Sequence, residues 1–207
     1  MRARLSPSPA SVRLPRFALL IAASLFAFAG TLAAPPLATE ARAADPAVEF
    51  MRRAANELIN AQRQKSPAAF ARVIRKYGHV PIIGLDALGS YRAGLRPASR
   101  RRYQGGVVKF IARYAATESR KYRVARVQFA KTSAREGQHV LVDSRVMLAD
   151  GTQYDVRWML VPRGRRYKVR DAQVLGFWVS PFLRQLFENY IAENGGKVDA
   201  LVLALNR

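Results

Sequence analysis

From Val48 onward the apolar positions recur every three or four residues. Val48, Met51, Ala55, Leu58 and Ile59 form one stripe behind Asp45-Pro46, which predicts a first helix capped by Asp45. Ser66-Pro67 reads as a second helix start, with Phe70, Val73, Ile74 and Tyr77 on one face and Gly78 at the end. Residues 79–91, "HVPIIGLDALGSY", are apolar but broken by Pro81 and Gly84, which fits a short helix or an irregular segment. Pro97 and Ser99 open a longer helical stretch towards Tyr122, and Gly105-Gly106 inside it weakens the case for an unbroken helix.

The period then drops to two. Ala125, Val127 and Phe129 alternate with polar residues, as do Val140, Val142, Val146 and Leu148, then Tyr154, Val156, Trp158 and Leu160, then Tyr167 and Val169. Arg135-Glu136-Gly137, Asp150-Gly151 and Arg163-Gly164 read as the turns between these runs, and Asp-Gly between alternating strands is a strong hairpin signal. The pattern predicts a four-stranded antiparallel meander with one apolar face. Helical spacing returns after Ser180-Pro181 with Phe182, Leu183, Leu186, Phe187, Tyr190 and Ile191, ending at Gly195, and a last helix carries Val198, Leu201, Val202 and Leu205. Helices before and after a sheet make an α+β fold, with the helices packed on the apolar face. The join, Leu175 to Val179, is unusually apolar for a loop.

The N-terminus belongs to another pattern. Arg2, Arg4, Arg13 and Arg16 precede an uncharged run from Phe17 to Ala34, and Ala41-Arg42-Ala43 has the form of a cleavage site. This order predicts a secretory signal peptide over 1–43, with an uncleaved anchor as the alternative. The remaining 164 residues, 44–207, suffice for one domain with a real core, and no Cys is present to staple it. The chain has 35 basic and 14 acidic residues; removing five Arg and Glu40 with the first 43 positions leaves 30 and 13, a net +17. For an exported chain no nucleic-acid partner is expected, because of its location, whereas anionic lipid headgroups attract basic surfaces. The competing reading is that the excess charge only aids solubility.

Catalytic chemistry is missing from the inventory. His79 and His139 are the only histidines, and neither has a second ligand type at metal spacing. There is no nucleophile elbow or Gly-rich phosphate loop, and the carboxylates are scattered, so a non-enzymatic role without cofactor is expected. His139, at a strand start, reads as an ordinary edge residue.

Two stretches carry a resemblance. Leu88-Gly89 with Tyr91, Arg92, Pro97 and Arg100 resembles the pattern "LG..WR....P.QR"; Tyr167 to Phe187, with Asp171 closing the last strand and then Gly176, Arg184 and Phe187, resembles "D....GVSL....R..F". The C-terminal "G...DALVLAL" resembles a closing "G...L...L". On these residues the chain is similar to the MlaC-type, or toluene-tolerance, periplasmic phospholipid-binding proteins. Trp178 in place of Ser, Tyr91 in place of Trp, and Gln104 and Val107 in place of Phe are its departures.

The resemblance implies a cystatin- or NTF-like plan with an apolar slot between sheet and helices. It implies a periplasmic carrier that shuttles phospholipid, or a hopanoid or other apolar lipid, between an outer-membrane lipoprotein complex and the substrate-binding component of an inner-membrane ABC transporter. The expected slot wall is Val142, Val146, Val156, Trp158 and Leu160 from the sheet against Val108, Ile111, Leu183 and Phe187 from helices, with Leu88, Tyr91, Val174, Phe177 and Trp178 as further lipid contacts. The bland alternative is that Phe177, Trp178 and Val179 plug a filled core, in a basic periplasmic interaction protein without ligand. Ten basic residues between Arg96 and Arg126 face one acid, Glu118; within them Arg100, Arg101, Arg102 and Arg113 are the expected docking residues for anionic partners or membranes.

Overall fold

The computed structural model describes residues 44–207. The expected signal peptide and its cleavage site lie outside the described residues. Helix α1 spans Pro46–Gln64, and Asp45 caps it as expected, its Oδ1 accepting from the N–H groups of Ala47 (2.8 Å) and Val48 (3.2 Å). Helix α2 spans Pro67–Tyr77; Ser66 contributes its carbonyl rather than its hydroxyl to the first turn. Residues 79–91 resolve into α3 (Val80–Ala87) followed by a 3-10 segment over Gly89–Gly94. Helix α4, Arg100–Lys121, runs 22 residues without a break. Gly106 is tolerated inside it because α4 meets the C-terminal segment there: a Cβ at Gly106 would lie 2.7 Å from Leu205 Cβ and from Asn206 Nδ2.

The sheet is antiparallel and has six strands rather than the expected four: β1 (Val124–Phe129), β2 (Ala134–Glu136), β3 (His139–Leu148), β4 (Gln153–Arg163), β5 (Arg166–Val174) and β6 (Phe177–Trp178). The two extra strands are short. β1 and β2 both pair with β3, β1 along Ser144–Leu148 and β2 along His139–Leu141, so together they are one edge strand interrupted at 130–133. Arg135 and Glu136, expected in a turn, belong to this edge. His139, expected at an edge, instead heads the interior strand β3.

The second extra strand explains the apolar join. Leu175 (φ 52°) and Gly176 (φ 84°) both take left-handed backbone, the requirement of a tight two-residue hairpin. The chain therefore folds back, pairing Gln173 with Trp178 and Val174 with Phe177. Asp171 does not close the strand, which continues to Val174; its Oδ1 accepts from Ala172 N–H (2.8 Å) and Ser180 N–H (3.1 Å), fastening the first turn of α5 (Val179–Glu193). Gly195 and Gly196, both at positive φ, end α5 through Gly196 N–H to Ile191 O (2.9 Å), and α6 (Val198–Leu205) follows.

Two apolar clusters form the interior. One joins α1, α2 and α4 to the sheet through Val48, Met51, Phe70, Val108, Val142 and Leu160. The other is helical, built by α3, α4, α5 and α6 around Leu88, Tyr103, Val107, Phe187, Ile191 and Leu201.

Candidate functional site

The pleat fixes which sheet residues face the helices. Val140, Val142, Ser144 and Val146 on β3 stand opposite Leu160, Trp158, Val156 and Tyr154 on β4, so their side chains share one face. The single buried hydroxyl on that face is satisfied: Ser144 Oγ donates to Val156 O (3.2 Å) and accepts from Trp158 Nε1–H (2.9 Å). This pair fixes the Trp158 ring over the helices.

Where α1 and the end of α4 cross β1, β3 and β4, the packing leaves an apolar cavity of about 270 Å³. Leu58, Ile59, Phe70, Val127, Val146 and Trp158 line its body; Gln62, Glu118 and Ser119 stand at its polar rim. Gln62 latches that rim. Its Nε2 donates to Val124 O (3.1 Å) and its Oε1 accepts from Val124 N–H (3.0 Å), the pairing a neighbouring strand would make.

The other end of α1 is fastened too. Asp45 Oδ2 accepts from Ser133 N–H and Oγ–H (2.8 Å each), in the excursion between β1 and β2. Burial raises the pKa of this carboxyl, but the hydrogen bonds from Ser133, Val48 and Ala47 outweigh it and hold it below the usual range. Helix α1 is thus pinned to the sheet at both ends, with the cavity beneath its C-terminal half.

The expected slot residues separate into groups. Val146 and Trp158 line the cavity, while Val142, Leu160 and Val108 are buried in the same cluster and Val156 on the same sheet face. Leu183 and Phe187, expected across a slot from them, lie instead in the helical cluster with Leu88, Tyr91 and Ile111, because α5 packs on α3 and α4. Val174 and Trp178 are half-buried at the far edge of the sheet. Phe177 is 80% exposed and Leu175 65%: the hairpin turns them outward, so Phe177 neither plugs the core nor faces the cavity. Val179, Phe182 and Leu186 extend this exposed apolar surface along α5. Of the residues not anticipated as lining, Leu58, Ile59, Phe70 and Val127 belong to stripes legible in the sequence, whereas Tyr122 and Val124 lie outside them. Their two periods meet at a common void only in three dimensions.

The motif residues form a joint. Leu88 is fully buried, and Gly89 (φ 49°) leaves no room for a side chain, since a Cβ there would lie 2.1 Å from Glu188 Oε1 and 3.0 Å from Arg184 Cδ. Glu188 accepts from Ser90 N–H (2.7 Å) and Oγ–H (2.8 Å), and Arg184 Nε donates to Asp86 O (2.9 Å). The Ser90 contacts hold the Glu188 carboxyl below its ordinary pKa.

A match to the MlaC protein family model spans residues 42–207. The chain belongs to the MlaC family. Among solved structures, a phospholipid-binding protein from Ralstonia solanacearum, determined in complex with a phospholipid, is similar with a TM-score of 0.58 at 18% identity, over 79% of this chain and 96% of that one. At that identity the likeness establishes the shared fold. A comparison with curated proteins gave no match. The family's two sequence stretches therefore converge on the helical joint, away from the cavity. The expected docking arginines also divide. Arg100, Arg101 and Arg102 are exposed at the start of α4, whereas Arg113 donates to Arg207 O (2.8 Å) and Leu205 O (3.3 Å), tying down the C-terminus. Among the described residues no three His, Asp or Glu side chains form a metal site, and no helix is long and apolar enough to cross a membrane.

Proposed function

We propose that this member of the MlaC family is a periplasmic phospholipid carrier that holds acyl chains in the cavity beneath α1 and passes them between membrane-bound complexes. The observation that carries this reading is the apolar cavity between α1, α4 and the sheet, about 270 Å³ in volume. The phospholipid in the Ralstonia solanacearum protein of the same fold supports it, as does the export pattern of residues 1–43.

Magnitudes define what the cavity must do. An apolar cavity of about 150 Å³ accepts one benzene, so the present volume takes roughly eleven carbons, less than one long acyl chain. The slot must therefore widen to load, and the wall whose release would open it is α1, held over it by the clamps at Asp45 and Gln62. Burial of each methylene stabilises by about 0.8 kcal/mol, which sums to more than 20 kcal/mol for two long chains. Retention is then strong, and release requires the widened state.

Native mass spectrometry of protein purified from the periplasm tests this. One phospholipid per chain is expected, lost on delipidation and regained from vesicles with a change in Trp158 emission. A protein that emerges lipid-free and takes up none from vesicles would overturn the reading.

A further inference from the structure

At the opposite end of α4 from the cavity, the end of α2, the start of α3, the first turn of α4 and the β4–β5 turn enclose a cleft of about 710 Å³. Its charged lining is Arg75, Arg101, Arg163 and Lys168 around His79, with no carboxylate. Among the described residues none of these four cations is within ion-pair distance of an acid. Asp86, on α3, is taken by Arg170 (3.2 Å). Lys168 spends part of its donor capacity on the carbonyls of Lys76 (2.6 Å) and Arg75 (3.4 Å) at the end of α2.

His79 is the buried member, and its surroundings are over-supplied with donors. Ile82 N–H points at its Nδ1 (3.3 Å), and Arg163 Nε donates to its Nε2 (3.2 Å), with Nη2 2.5 Å from the same nitrogen. A neutral imidazole has a single acceptor nitrogen, so the Arg163 contacts take it, and among the described residues the guanidinium has no carboxylate to meet its remaining donors. An oxyanion in the cleft would accept from them. Arg101 adds an independent sign. It sits with Arg100 and Arg102 in the first turn of α4, which has no acid, and cations are disfavoured by the partial positive charge of a helix N-terminus. An anion at the cleft removes that penalty.

We propose that this cleft binds a phosphate group, held by Arg101, Arg163 and Lys168 beside His79. A phosphate matches the forked guanidinium donors and the density of positive charge. The same chemistry is offered by free phosphate and by the headgroup of a phospholipid. The assignment rests on the cleft alone and stands whether or not the cavity under α1 carries lipid.

Burial, with the charges of Arg163, Lys168 and Arg170, holds the His79 imidazole below its ordinary pKa, and a bound anion reverses the charge part of that shift. Proton NMR of the two histidines in the purified protein therefore reads the site directly, with His139 as internal reference. The probes are inorganic phosphate, short-chain phosphatidylglycerol below its micelle concentration, and sodium chloride at matched ionic strength. A saturable rise of the His79 midpoint is expected with a phosphate probe and not with chloride. In Arg101→Gln/Arg163→Gln, which replaces two exposed side chains, the affinity should fall at least about tenfold, given about 1.5–3 kcal/mol per charged hydrogen bond. A response to inorganic phosphate identifies the free ion as sufficient; a response to phosphatidylglycerol alone identifies the headgroup. No response to either, an equal response to chloride, or a response unchanged in the double variant would overturn the proposal. Binding of phosphatidylglycerol reported by Trp158 with His79 unmoved would place lipid in the cavity and leave the cleft without a ligand.

Discussion

Helix α4 divides the interior into two clusters that are built on different terms. On its helical side Leu88, Tyr103, Val107, Phe187 and Ile191 are each no more than 1% exposed, and Phe110 meets Phe187 edge-on at 5.5 Å. On the sheet side Met51, Val142 and Leu160 are as deeply buried, and each cluster carries half-buried residues at its margin, so what distinguishes this side is the cavity of about 270 Å³ beside Leu58 and Trp158. Interiors ordinarily pack as tightly as organic crystals. The difference teaches that the apolar void is local to one side of one helix, next to the element pinned by polar clamps.

The largest expected contrast comes from truncation. Phe187→Ala removes a buried ring from the closed cluster and should cost about 3–5 kcal/mol. Leu58→Ala enlarges a cavity that already exists, and its side chain is only half-buried, so its cost should fall near or below the low end of the 2–5 kcal/mol typical of buried leucine. Urea denaturation of both delipidated variants checks the pair. Equal losses would mean that the sheet-side cluster is as well packed as the helical one.

This division also explains what the sequence could disclose. The α+β order, the helix stripes and the hairpins at Asp150-Gly151 and Arg163-Gly164 were legible because each rests on local periodicity or turn chemistry. The MlaC motifs were legible too, but Leu88, Gly89, Arg184 and Phe187 mark a tight joint, where Gly89 is required by its φ of 49° and by the approach of Glu188. Helical spacing grouped Leu183 and Phe187 with the sheet residues, whereas α5 packs them on α3 and α4, and Phe177 is turned outward by the hairpin. The hairpin at Leu175 was hidden because a bulky residue at positive φ breaks the usual turn signature. The cavity was hidden because a void is a property of how stripes meet, and no single stripe of α1 or β1 encodes it.

Inserting volume is the next sharpest test, since it applies one substitution to both regions. Ala87 is 1% exposed in the closed cluster, and Ala55 lines the cavity. Ala87→Leu overpacks and should cost about 1–3 kcal/mol. Ala55→Leu projects three further carbons into open space and should change stability by less than about 1 kcal/mol, while lowering the lipid recovered with the protein. Thermal melts of lipid-free protein and native mass spectrometry separate the two effects. An Ala55→Leu variant that lost stability like Ala87→Leu would show the cavity to be filled by relaxation of its walls.

The smallest effects concern the clamps, and they differ in their response to pH. Gln62→Leu leaves the N–H and C=O of Val124 unpaired and should cost about 1–3 kcal/mol at any pH, with faster loss of bound lipid. The Asp45 clamp should cost about 1 kcal/mol when removed as Asp45→Ala, the usual worth of an N-cap. Its pKa is depressed in the folded state, so its contribution is present above the ordinary value of 3.8 and fades as pH falls through the lower folded value. Acidification should therefore free the N-terminal end of α1 while the Gln62 latch holds, and lipid release should accelerate below pH about 4 in the wild type and in Gln62→Leu, but less in Asp45→Asn. Stopped-flow transfer of fluorescent phospholipid to acceptor vesicles between pH 3 and 6 measures this. If release from Asp45→Asn accelerated as steeply as from the wild type, another carboxylate would govern the acid opening, and α1 would not be the wall that moves.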